Sequence, residues 1–259
     1  MSSTNSLEEK TIWVTGGAGY LGSAITTALD GLCRKVVCID LGRRAAALIR
    51  EGKLSATIAC SFDLTRMDEL PGFVQRTVKK HGIPDGLIHL AMTTSAGKRL
   101  EELSREDFQR TLDGSLTPAF LLCRSVAERM KPRGSGSIVL CGSMYGMVAP
   151  DPRIYAPPMT PNPIDYGASK AAVGQMTRYL AVHYGPAGIR FNCIVPGPFP
   201  APPVQAGNPE FIRLLSQKTP LGRVGQSPEI VGPALFLLGD GASYVTGHSL
   251  LVDGGWTAW

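Results

Sequence analysis

Residues 11–40 constrain this chain more than any other stretch. An apolar run, T11-I12-W13-V14, enters the turn T15-G16-G17-A18-G19-Y20-L21-G22. A helical pattern follows at 24–29, and a second apolar run, V36-V37-C38-I39, ends in Asp40. Strand, glycine-rich turn, helix, strand and acid, in that order, is the arrangement that binds a dinucleotide. Glycines let the main chain approach a pyrophosphate, and the first turn of the next helix offers free N–H groups and a partial positive charge. An acid about 20 residues on accepts hydrogen bonds from the adenosine ribose. The pattern therefore predicts Gly16, Gly19, Tyr20, Leu21 and Gly22 beside the phosphates and Asp40 on the ribose.

The alternation continues along the chain. The run at 57–60 leads to Asp63 and Leu64, 73–80 reads as a helix, and 87–91 is a strand ending at Ala91. Residues 106–130 carry long helical periodicity that Gly114 and Pro118 interrupt. The run at 137–141 delivers Ser143, 166–183 is a helix, and 190–195 runs into Pro196 and Gly197. A helix at 229–238 and a strand at 249–252 complete the series. This predicts an α/β fold: a Rossmann-type, doubly wound parallel sheet of about seven strands with helices on both faces. Nothing in the 259 residues marks a repeat, linker or boundary. The expectation is a flexible polar start at 1–10, then one dinucleotide-binding and catalytic domain at 11–259. Ligands of such sheets lie beyond the carboxyl ends of the strands, and the residues named above all follow strands, so one crevice can hold them.

The stretch from Ser143 to Lys170 carries the chemistry. Tyr166 and Lys170, at i and i+4 on a helix, share a face, and an ammonium there favours the ionised phenol. A hydroxyl, a phenol and an ammonium suit proton transfer at a carbonyl or alcohol oxygen. A Tyr-x-x-x-Lys pair taken alone is more often a surface pair; the surrounding pattern gives this one its meaning.

Composition narrows the alternatives. The 26 basic residues exceed the 21 acidic ones, but no basic run is longer than a pair, so neither nucleic acid nor a membrane is an expected partner. Six cysteines lie far apart, without a Cys-x-x-Cys pair. They read as reduced core residues, with no metal site, in a cytoplasmic protein. No leader or membrane-length apolar run is apparent.

Together, YGASKAAV at 166–173, IRFNCIVPGP at 189–198, and PLGRVGQSPEI and YVTGHSLLVDGG near the end resemble the short-chain dehydrogenase/reductase family over nearly the whole chain. The resemblance implies that Tyr166 is the catalytic acid/base, that Ser143 hydrogen-bonds the substrate oxygen, and that Lys170 binds the nicotinamide ribose and promotes Tyr166 ionisation. Hydride would pass between the nicotinamide C4 and the carbonyl carbon. Gly197 and Phe199, after Pro196, would lie along the coenzyme.

The chain departs from the family in places. Tyr20 stands in the glycine turn, and H89-L90-A91-M92 replaces Asn-Asn-Ala-Gly. Ser115 takes the place of the helix asparagine, where it would hold a relay water less firmly. The threonine expected after Pro-Gly falls near Ala201. Asp40 favours NAD(H), since a carboxylate repels a 2′-phosphate, while Arg43 and Arg44 leave NADP open.

Residues 147–165 form an insertion rich in proline, expected as an extended loop. It is either a pocket wall, with Arg153 and Tyr155 contacting a small-molecule substrate, or a loop packed on a neighbouring subunit. The prolines at 198, 200, 202 and 203 suggest a short, fixed pocket floor. The insertion is also similar to reductases of flagellin and surface-polysaccharide sugar modification, which implies a sugar or nucleotide-sugar substrate. A 3-oxoacyl or cyclic ketone, or a coenzyme-binding regulator without turnover, remains as the alternative. Family resemblance and the apolar C-terminus imply a homo-oligomer, tetramer or dimer.

Overall fold

A computed structural model describes residues 7–259. Its centre is a seven-stranded parallel sheet of β1 (Thr11–Thr15), β2 (Lys35–Asp40), β3 (Thr57–Ser61), β4 (Gly86–His89), β5 (Gly136–Cys141), β6 (Ile189–Pro196) and β7 (Ser249–Val252), in the order β3-β2-β1-β4-β5-β6-β7. Side chains alternate between the two faces, as a strand requires. Trp13, Val37, Leu87, Ile138 and Phe191 enter one core, with helices α3 (Leu70–His81), α5 (Thr117–Met130) and α6 (Ile164–Tyr184). Ile12, Val14, Val36, Ile88 and Ile194 enter the other, with α1 (Tyr20–Asp30) and α9 (Val231–Leu238). Both faces are covered, which explains strands that are apolar at nearly every position. Successive strands are added on one side from β1 to β3 and on the other from β4 to β7, so the strand order reverses between β1 and β4 and a crevice opens at their carboxyl ends. Among the described residues no helix is long and apolar enough to cross a membrane.

Three local expectations are corrected. Leu7 is 3% exposed in the second core, and Lys10 Nζ bonds Asp240 at 2.7 Å, so 7–10 is packed; the expectation for residues 1–6 lies outside the described residues. Residues 106–130 are not broken at Gly114 or Pro118: α4 (Arg105–Thr111) passes through a π turn (Leu112–Leu116) into α5. Pro118 occupies the first turn of α5, where a missing N–H does no harm. Gly114 is needed because a Cβ there would lie 2.5 Å from the Thr93 Cβ.

The segment after Pro196-Gly197 is not a plain proline floor but two helices, α7 (Pro202–Gly207) and α8 (Pro209–Gln217), with their prolines in the first turns. The insertion is extended as expected, with one 3₁₀ turn at Pro152–Ile154, yet it packs on its own chain. Ile154 is buried, the Tyr155 ring lies 5.2 Å from that of Phe211 in α8, and Asp151 accepts from Lys218 Nζ at 2.7 Å.

Candidate active site

A cleft of about 440 Å³ follows the carboxyl ends of the central strands. Gly16, Gly19, Tyr20, Leu21 and Gly22 line one end, with Asp40, Asp63 and Leu64; Ala91 lies at its middle. Gly16 has φ +67°, and a Cβ there would stand 2.7 Å from the Ala91 nitrogen, so only glycine lets β1 turn against the end of β4. The turn opens onto the first turn of α1, whose N-terminal end suits a pyrophosphate. Asp40 accepts from the Ala18 N–H at 2.9 Å and the Leu41 N–H at 2.8 Å. The Arg44 guanidinium, at the start of α2 (Arg44–Gly52), lies 3.5 Å from the same carboxylate.

The other end of the cleft holds Ser143, Tyr166, Lys170, Pro196, Gly197 and Phe199. Tyr166 and Lys170 share one face of α6, with the ammonium 5.8 Å from the phenol ring centre. Lys170 is 6% exposed, and its Nζ donates to the Cys141 carbonyl at 2.8 Å. An ammonium carries three donors, so others are free for a ligand in the cleft. Ser143 Oγ accepts from the Tyr145 N–H at 3.1 Å, leaving its own proton to donate. Cys141 also lines the cleft, but burial pushes its thiol up from the ordinary range, which keeps it protonated and poorly nucleophilic. Beneath the cleft, His89 Nδ1 lies 2.7 Å from Thr15 Oγ1 while Nε2 has no partner.

Three expected residues stand elsewhere. Ser115 is buried outside the cleft lining; its hydroxyl accepts from the Thr93 N–H at 2.9 Å and donates to the Thr93 carbonyl at 2.6 Å. Its proton is therefore committed to main chain rather than to a relay water, and the hydroxyl ties the π turn to the loop after β4. Arg153 is 85% exposed and clasps Asp151 through Nε and Nη2 at 2.9 and 2.8 Å, so it faces away from the cleft. Arg153 and Lys218 hold the Asp151 carboxyl well below the usual carboxylate range. The Tyr155 hydroxyl meets the Tyr145 hydroxyl at 2.7 Å and supports the wall by packing.

Sequence reasoning missed Thr93, Gly114 and Gly142 in the lining, and Tyr145 behind it. Gly114 was visible as an oddity inside a helical pattern; Thr93 carried no signal.

Comparison with known proteins agrees with this geometry. The family profile described as enoyl-(acyl carrier protein) reductase matches residues 19–257. The chain is 33% identical over 258 residues to 2,5-dichloro-2,5-cyclohexadiene-1,4-diol dehydrogenase of Sphingobium indicum, covering 97% of this chain and 98% of the relative. Identity and coverage are the same with the cyclopentanol dehydrogenase of Comamonas testosteroni. The crystal structure of a short-chain dehydrogenase from Leptospira borgpetersenii with bound NAD+ superposes with a TM-score of 0.85 at 31% identity, over 98% of this chain and 95% of that one. The chain belongs to the short-chain dehydrogenase/reductase family. It is an NAD(P)-dependent oxidoreductase that moves a hydride between coenzyme and a carbonyl or secondary alcohol.

Proposed function

We propose that the chain interconverts an uncharged alicyclic secondary alcohol and its ketone with NAD(H), using Tyr166 as acid/base. The observation that carries this reading is the absence of a spare cation where substrate would sit. Among the described residues lining the cleft the cations are Arg44, which lies on Asp40, and Lys170, which lies beneath Tyr166. Arg153, the cation expected to contact the substrate from the insertion, is turned outward onto Asp151. The packing around Tyr166 is apolar and aromatic, with Met144, Tyr145, Tyr155 and Phe211 in one cluster. Two relatives are named for cyclic alcohols.

The residues divide the work. The Tyr166 hydroxyl exchanges the proton with the substrate oxygen, and the Lys170 ammonium stabilises the phenolate. Ser143 donates to the same oxygen. Positioned proton transfer of this kind contributes about 10²- to 10⁴-fold. When bound, the dinucleotide supplies or takes up the hydride at its nicotinamide ring. The glycine turn would hold its pyrophosphate, Asp40 the adenosine ribose, and Asp63 and Leu64 the adenine end. Arg44 neutralises Asp40 rather than standing free for a 2′-phosphate, which favours NAD over NADP.

The outer face of α6 leaves Tyr179 69% and Val182 80% exposed, a surface suited to burial between copies of the chain. Six cysteines without a disulfide fit a reducing cytoplasm.

The test is a set of initial rates at 340 nm: cyclopentanol, cyclohexanol and nucleotide sugars with NAD+ or NADP+, and nucleotide-linked keto-sugars and 3-oxoacyl thioesters with NADH. The alicyclic alcohols should exceed the charged substrates in kcat/KM by about a hundredfold, because the cleft lining offers a phosphate no cation besides Arg44 and Lys170, both already engaged. NAD+ should be preferred. Faster turnover of a nucleotide sugar, or a preference for NADP+, would overturn the reading.

A further inference from the structure

Asp165 precedes Tyr166 in the first turn of α6 and is 0% exposed. Its carboxylate accepts from Ser95 Oγ at 2.8 and 2.7 Å, one distance to each oxygen, and from Thr111 Oγ1. Among the described residues no lysine, arginine or histidine forms an ion pair with it. A buried carboxylate without a cation is expensive, and hydroxyl donors with the positive end of a helix offset only part of that.

Its partners suggest what it does instead. Ser95 lies in the loop after β4, two residues beyond Thr93, which lines the cleft. Thr111 ends α4 immediately before the π turn that carries Gly114, also in the cleft lining, and Ser115. Ser115 already joins that turn to Thr93 through two hydrogen bonds. Asp165 adds the third member, the helix that carries Tyr166. That helix needs the tether, because it begins at Pro163 with no side-chain cap.

We propose that Asp165 is a positioning residue, whose carboxylate locks the first turn of α6 to the β4 loop and the α4 terminus and so fixes where the Tyr166 hydroxyl stands. This rests on the reading of Tyr166 as the acid/base. A displacement of about 1 Å at such a group lowers rate about a hundredfold.

The test compares Asp165→Ala, Asp165→Asn and the double variant Ser95→Ala/Thr111→Val, with cyclopentanol and NAD+ as probe. Asp165→Ala should lose about a hundredfold in kcat, with NADH affinity within about threefold, and should show a larger deuterium isotope effect on kcat as chemistry becomes limiting. Asp165→Asn keeps an oxygen acceptor, and a hydroxyl can rotate to accept from its amide, so it should retain kcat within about tenfold. The double variant should follow Asp165→Ala. Amide exchange of 93–95 and 164–167, read by mass spectrometry, should quicken in Asp165→Ala and the double variant but not in Asp165→Asn. Equal lowering of Tm in both Asp165 variants, with kcat, isotope effect and local exchange at wild-type values, would overturn the proposal. Failure of the Tyr166 reading has a separate signature, equal rates in wild type and Tyr166→Phe; the exchange comparison needs no turnover and still decides the tether.

Discussion

Tyr166→Phe should lower kcat for alicyclic alcohol oxidation by about a thousandfold while changing NADH affinity by less than about threefold. The substitution removes one oxygen and leaves the ring. That ring packs at the edge of a cluster containing Met144, Tyr145 and Trp256, and none of the hydrogen bonds that order Ser143 or Lys170 passes through the phenol. The glycine turn and Asp40, proposed above to hold the coenzyme, line the other end of the cleft. Stability should therefore stay near wild type, and the loss should fall on kcat. Steady-state rates at 340 nm with a fluorescence titration of NADH check both halves. A variant with at least about a tenth of wild-type turnover would remove Tyr166 from the chemistry.

A second large effect is expected from His89 and acid. Its imidazole is buried and meets Thr15, and its pKa is lowered to about 3, chiefly by burial and secondly by the Lys170 charge. In the unfolded chain the ordinary value is about 6.5. The stabilisation is complete above that value and is lost as pH falls from about 6.5 toward the folded value, because the unfolded chain then binds a proton that the native state excludes. The loss is about 1.4 kcal/mol per pH unit inside this window, or about 2 kcal/mol by pH 5.

Urea unfolding of wild type and His89→Asn at pH 7.5, 6, 5 and 4.5 isolates it. The wild type should lose stability relative to the variant as pH falls, whatever the offset at pH 7.5. His81, also lowered by burial, is common to both proteins and cancels. Asp107 and Asp151, held low by their cation and hydrogen-bond partners, contribute only below about pH 4 and stay outside the window. Parallel stability curves would show that His89 titrates normally.

The sheet was legible because its strands are buried on both faces. Runs such as VVCI and SIVLC have no polar face to confuse with a surface helix, and each ends in a residue that belongs to the crevice. That is also why Gly16, Asp40, Asp63, Ala91, Ser143 and Pro196 could be assigned to one cleft before any geometry was known. The proline-rich regions were read less well. Prolines at 198, 200, 202 and 203 suggested a fixed floor, yet proline is unwelcome only in a helix interior; Pro202 and Pro203 start α7, as Pro209 starts α8. The insertion has the same composition, but between residue 147 and Pro163, which caps the start of α6, its prolines recur too closely for more than the turn at Pro152–Ile154.

Gly114 misled in a different way. A glycine inside a helical pattern reads as an interruption, but the helix absorbs it as a π turn, and its missing side chain makes room for Thr93.

The site shows where one-dimensional reasoning ends. Tyr166 and Lys170 announce themselves by spacing on one helix. Arg153 lies at a plausible point of the insertion, but its orientation depends on Asp151, two residues away, which forms a bidentate pair with it. Ser115, placed by family resemblance where a relay water was expected, instead spends its hydroxyl on the loop after β4, which its position in the sequence did not reveal. Asp165, Ser95 and Thr111 come from three separate segments, and no spacing rule joins them.

The most direct test of the central claim is the fate of hydrogen at the alcohol carbon. Wild-type protein would be incubated with NAD+ and cyclopentanol carrying deuterium on the carbinol carbon, and the reduced coenzyme analysed by mass spectrometry. The account predicts one deuterium in NADH for each cyclopentanone formed, and neither product from Tyr166→Phe above about a thousandth of the wild-type rate. Ketone formed without labelled coenzyme, or equal labelling by the phenylalanine variant, would contradict it.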